Sequence, residues 1–171
     1  MTKTYITDEM RSLIGRTMYE ATSFPISANE IRKWAMAIYY PEIPPRIFWD
    51  DEFAATTHYG GIVAPEEYNP FAWTSARPGM RQGGTSHGGF EAVFGMEPPP
   101  HKAVLQGEKR VTYSGVRMRP GDVIELRQFI SEYFEREGRM GLMLYTTITD
   151  TYTNQRGEHI KNLDTVFVRY E

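Results

Sequence analysis

Three features of this sequence predict an α+β fold. The first half carries helix signals and the second half carries strand signals. From Val104 onward, apolar and polar residues alternate over long runs separated by turns. Between Ile26 and Tyr40 lies one well-marked amphipathic helix. Helices followed by an antiparallel meander is an α+β order, and one long helix has to cover the apolar face of the sheet.

The first helix is expected over Thr7 to Ile14, with Thr7 as N-cap and Gly15 as the stop. The second is defined by Ser27 and Glu30, an S-x-x-E capping box in which each side chain satisfies a free N–H of the first turn. Ile26 and Ile31 occupy the staple positions, and Ile31, Trp34, Ala35 and Ile38 form a stripe at i, i+3, i+4, i+7. Pro41 ends it. Pro44 and Pro45 constrain the loop that follows, and Asp50 or Asp51 caps a short helix, "DEFAAT". Gly60 and Gly61 break that helix. Pro65 suits a first helical position and opens a further helix through Tyr68, Phe71, Ala72 and Trp73. Residues 76–100 form a long loop rich in glycine and proline. Arg119-Pro120-Gly121-Asp122 is a turn. Ile124, Leu126 and Ile130 share one face of the next strand, and Leu142, Leu144, Thr146 and Ile148 one face of its partner. "TNQRGE" turns the chain back into "NLDTVFVRY".

The chain has 171 residues, 40% of them apolar and 13% aromatic, with a formal net charge of −3. That suits one globular domain and argues against a nucleic-acid binder, which carries a basic stripe. There is no cysteine, which removes disulfides, thiolate metal ligands and cysteine nucleophiles together. Four histidines without paired spacing give no metal site. No stretch reaches the roughly 20 apolar residues of a membrane span. With a polar N-terminal segment, these features lead us to expect a cytoplasmic protein with no nucleic-acid or membrane partner.

The pieces "SANEIRKWAMAI", "DDEFAATTHYGGIVAP", "GEKRVTYSGVRMRPGDVIELRQF" and a final "VFVRY" occur in an order that resembles the MaoC-like dehydratases, specifically their FAS1-like N-terminal domain. The resemblance runs from about Ile14 to Tyr170. It implies a single hot-dog fold over residues 1–171, with an antiparallel sheet of five or six strands wrapped around a central helix that Pro65 begins. It also implies addition or removal of water across the α,β double bond of an acyl thioester. Such enzymes use an Asp and a His in D-x-N-P-x-H to hold water and move protons. A backbone N–H at the start of the central helix polarises the thioester carbonyl.

This chain departs from that pattern. The matching segment is "EIPPRIFWDDEFA", where the histidine position falls near Phe48 and the aspartate near Glu42 or Ile43. The "A-H-G" of active members reads Ala64-Pro65-Glu66. The usual dyad is absent, and in this family such halves pair with a second domain that carries it. The resemblance therefore implies an acyl-binding, non-catalytic half of a double hot dog in an enoyl-CoA hydratase or 3-hydroxyacyl-CoA dehydratase. Its partner is a second MaoC-like chain or a copy of itself. Its substrate is an acyl-CoA or acyl-carrier thioester, with no cofactor beyond coenzyme A as part of the substrate.

The candidate substrate-binding residues are Tyr59, Gly60, Gly61, Val63, Ala64, Tyr68 and Trp73. The candidate catalytic side chains are His87, set among glycines that let backbone approach a ligand, and His58. The plainer readings are a surface histidine for His87 and a helix-end partner for His58. Arg77 and Arg81 are candidates for a coenzyme A phosphate, or else solvated loop residues. Two other functions stay open: a thioester-binding module without turnover, and a hot-dog thioesterase using Asp50, Asp51 or Glu66 on water.

Overall fold

In the computed structural model, which describes residues 4–72, 89–101, 103–139 and 141–170, the alternating segments form one antiparallel sheet. Its strands are β1 (Thr17–Thr22), β2 (Ala103–Tyr113), β3 (Ile124–Gly138), β4 (Gly141–Asn154) and β5 (His159–Tyr170). They lie in the order β1-β3-β4-β5-β2, so β1 and β2 are the edges. The strand β1 carries no sequence signal. Only Ala21 of its six residues is buried, so it has no apolar alternation to read.

The alternation foreseen for β3 and β4 holds, with one shift. Ile124, Leu126 and Ile130 are buried on the face of β3 turned towards the helices, opposite Asn154, Tyr152 and Ile148 of β4. Between Ile130 and Glu132 the register slips, and Ser131 is the extra residue of a bulge. Beyond the bulge the inward set moves by one, so Tyr133 rather than Glu132 is buried.

Helix α1 (Asp8–Ser12) starts at Thr7, whose hydroxyl accepts from the Met10 N–H. Helix α2 (Ala28–Tyr39) has the reciprocal capping box of Ser27 and Glu30. Its Ile31 and Trp34 pack with Ile124, Leu126, Tyr152 and Ile160 of the sheet. Ala35 faces the other way, into a small cluster with Phe48 and Val63. Ile38, expected in the stripe, is 44% exposed, because the helix runs past the edge of what it covers. Helix α3 (Asp51–Thr56) is capped by Asp50, which accepts from the Phe53 N–H at 3.0 Å. It ends before the glycine pair.

The helix expected at Pro65 does not form: residues 65–72 make turns. The carbonyls of Glu66 and Tyr68 both accept from the ammonium of Lys161 at 3.0 Å. In a helix those carbonyls would accept from backbone N–H groups four residues on. The Asn69 side chain also takes the Phe71 N–H, closing a local turn. Among the described residues, the covering helix is α2.

A second cluster covers the far end of the sheet. Met10, Leu13 and Phe90 pack on Ile130, Tyr133, Leu144 and Ile148. Its anchor is polar. Glu91 (0% exposed) takes a bidentate pair of hydrogen bonds from Arg169 (2% exposed) at 2.7 and 2.8 Å. The Tyr133 hydroxyl donates to Glu91 at 2.9 Å, and Arg169 also donates to Thr146. Burial, then the Glu91 charge, pushes the Tyr133 phenol well above its ordinary pKa. This network ties the short 3-10 turn Phe90–Phe94 to β3, β4 and β5. Glu91→Ala removes the carboxylate that Arg169 pairs with in the core. We expect a loss of about 3–5 kcal/mol, read from the shift of a denaturant midpoint. Replacing both partners with apolar residues of similar size restores most of it.

Candidate functional site

The corner from His58 to Tyr68 is held by backbone bonds and by packing. His58 is exposed, and its ring lies 3.7 Å from that of Tyr59. Tyr59 packs beside Ala35, Phe48 and Val63, and its carbonyl accepts from Arg119 at 2.8 Å. Gly60 takes φ +68°, which lets the chain turn there. Val63 and Ala64 are fully buried, and the Ala64 N–H donates to the Met118 carbonyl at 2.8 Å. Tyr68 is also core. Its ring meets Trp34 edge-on at 5.4 Å, and burial, helped by Glu30, raises its pKa to about 12. Trp73, His87, Arg77 and Arg81 lie outside the described residues.

The carboxylates considered for water activation are all engaged. Asp50 caps α3 and pairs with Arg46, and those two interactions hold its pKa below the usual range. Asp51 pairs with Arg32, and Glu66 with Arg117 at 3.4 Å. Phe48, near which the resemblance sets the family's histidine position, is 6% exposed and packs against Tyr39. Glu42 and Ile43 are exposed in the loop after α2.

The sequence reading missed a different group. Asp150 lies on the inner face of β4, between buried Ile148 and Tyr152. The register explains this, since Asp150 stands opposite Gln128 of β3, and both follow the inward alternation. A row runs from there across the sheet: Gln128, Asp150, Leu163 and Val111. Leu163 packs against the cluster under α2, and among the described residues the members of this row stay half-buried or exposed. Asp150 accepts from the Gln128 side-chain amide at 2.7 Å. Burial raises its pKa, while the Gln128 bond and the Lys109 charge pull it back. The only sequence signal was one acid inside an apolar alternation, "TTITDTY", and its direction depends on register.

Lys161 closes one end of this strip. It is buried between the rings of Tyr152 and Tyr113, at 5.2 and 6.0 Å, while it holds the Glu66 and Tyr68 carbonyls. Burial lowers its pKa to about 8. On the opposite, outer face a cleft of about 550 Å3 is lined by Ser131, Phe134, Tyr145, Thr147 and Asp164 among others. Among the described residues no three His, Asp, Glu or Cys side chains are grouped to hold a metal ion. No described helix is long and apolar enough to cross a membrane.

The comparisons agree with this architecture. The model of the "FAS1-like, dehydratase domain region" matches residues 12–163, and the chain belongs to that family. Its hot-dog fold is shared with solved structures. One is a MaoC-like dehydratase from Rhodospirillum rubrum, at 17% identity and TM-score 0.52, covering 90% of this chain and 91% of that one. Another is in the ChsH1-ChsH2 complex from Mycobacterium tuberculosis, at 17% identity and TM-score 0.61, covering 89% and 83%. A third is the R-hydratase PhaJ1 from Pseudomonas aeruginosa, at 14% identity and TM-score 0.52, covering 92% and 82%. No curated protein matches the sequence. The family is one of hydro-lyases.

A carboxyl whose native pKa is raised binds its proton more tightly in the folded state than in the unfolded state. Stability therefore falls as pH rises from the ordinary value of 3.8 through the raised one, and the whole penalty stands at neutral pH. Asp150→Leu should raise the melting temperature at pH 7. The gain should shrink as pH is lowered towards 3.8. Thermal melts of both proteins across that range check this, and a gain independent of pH would contradict it.

Proposed function

We propose that this chain is the acyl-binding, non-catalytic half of a two-chain enoyl-CoA hydratase or 3-hydroxyacyl-CoA dehydratase. The observation that carries the reading is the state of the family's catalytic positions. A buried phenylalanine, Phe48, stands near where the resemblance sets the histidine. At the corner that supplies the carbonyl-polarising donor in active members, Pro65 has no N–H and the Glu66 side chain brings a carboxylate, paired with Arg117, that would oppose a developing oxyanion. Hydration needs a base to take a proton from water as its oxygen joins Cβ, and an acid to protonate Cα. This corner offers neither, so both fall to a partner chain that carries D-x-N-P-x-H. The present chain contributes the berth for the acyl group.

Two further observations support a partner. The strand β2 is a long edge, exposed along most of its length, with Leu105 57% exposed on it. An unpaired edge with apolar side chains is a template for another strand. Two of the similar structures are themselves two-chain assemblies by name, the ChsH1-ChsH2 complex and the HadBC 3R-hydroxyacyl-ACP dehydratase complex of Mycobacterium tuberculosis. The inner-face strip through Asp150, Leu163 and Val111 is the candidate acyl berth, with Tyr59 and Gly60 at the neighbouring corner.

Co-expression with a MaoC-like chain carrying the dyad tests this. We expect the two to co-elute, and the pair alone to consume the conjugated thioester. Hydration by this chain at ordinary rates would overturn the non-catalytic assignment. Release of free thiol without loss of the double bond would favour a thioesterase.

A further inference from the structure

The face of the sheet turned away from the helices carries an apolar row. Phe134, Tyr145, Val168 and Leu105 stand side by side across β3, β4, β5 and β2, and Leu105 is 57% exposed. An antiparallel sheet with one solvated face reads polar on that face. The rings of Phe134 and Tyr145 stack at 4.6 Å and 12°, and the Arg136 guanidinium lies over both, at 5.2 and 5.5 Å.

The two sides of this row differ. On one side, towards the turn between β3 and β4, stand Arg136 and Met143. On the other stand Glu132, Thr147, Val166 and Glu108. That second line holds a bulge at each end, with Ser131 the extra residue in β3 and Gly107 in β2. Bulges bend their strands, and both extra residues line the cleft of about 550 Å3. Glu132 and Arg136 are exposed, and among the described residues neither has an ion-pair partner. Along β3 the outward side chains therefore run acid, aromatic, base.

This order is complementary to itself. Half a turn about an axis along the apolar row lays β3 antiparallel over β3 of a second copy. Each Phe134 then falls near the axis, and each Arg136 enters the hollow of the other copy beside Glu132. The same patch serves both copies, as an isologous contact requires. An apolar, aromatic centre with a charged rim is also the anatomy of a protein interface. A partner of uniformly acidic or basic surface would meet a like charge here.

We propose that a second copy of this chain packs face to face on the outer surface of the sheet, with Glu132 of each copy paired to Arg136 of the other. The contact uses side chains and leaves the backbone edge of β2 free. It is therefore independent of the acyl-binding reading and compatible with a catalytic partner at that edge.

Analytical ultracentrifugation of the full chain over a range of concentrations tests the proposal. The parent should be a dimer that weakens as salt screens the rim charges. Glu132→Arg and Arg136→Glu should each weaken it about 10-fold or more, since like charges then face each other. The double variant restores the complementary order with its signs exchanged, and should dimerise as the parent does. An equimolar mixture of the two single variants should form a mixed dimer for the same reason. Thermal melts confirm that each variant folds. A parent that is monomeric at every concentration overturns the proposal. So does a dimer that both single reversals leave intact, the result expected of pairing through the β2 edge. A double variant that fails to recover the dimer overturns it as well.

Discussion

The structure depends on a mismatch of lengths. The strand β3 has 15 residues, or about 50 Å of extended chain. Helix α2 has 12 residues, or about 18 Å. One such helix cannot cover the apolar face of such a sheet. The chain solves this with two covers. Helix α2 and the segment through Phe71 take one end. Helix α1 and the turn Phe90–Phe94 take the other. Among the described residues, the row of Gln128, Asp150, Leu163 and Val111 lies at the margin of these covers, with Leu163 packed against the first.

Both covers are short, so neither is secured by its own helical bonding. Buried charges fasten them instead. Arg169 holds the far cover through Glu91. Lys161 holds the near one through two backbone carbonyls. Asp122 does the same for the turn before β3, taking bonds from the Arg119 N–H and from Arg156 at the hairpin opposite. A buried ion pair adds little net stability by itself, but it fixes which segment lies where. Here that fixing matters, since the position of the covers sets the margin at which this row lies.

The corner at His58 to Pro65 is held by a backbone turn and buried side chains. Its glycine turn, its buried Val63 and Ala64, and the bond from Ala64 to Met118 all serve packing. A polar pair, Gln128 and Asp150, lies elsewhere, on β3 and β4.

The sequence by itself determined the α+β class, the α1 and α2 caps, the turn at Arg119 to Asp122, and the inward faces of β3 and β4 as far as Ile130. These are local matters: capping, turn chemistry and period-2 alternation act within a few residues. Its resemblance to MaoC-like dehydratases was equally legible, since it rests on the order of motifs. The tertiary structure decided the rest. The strand β1 exists only because β3 offers it a partner edge. The helix foreseen at Pro65 gives way because Lys161, remote in sequence, takes its carbonyls. Asp150 turns inward because pairing with Gln128 sets its side of the sheet. Each of these depends on a contact between residues far apart in the chain, and a pattern read along the chain carries no information about which distant group will arrive.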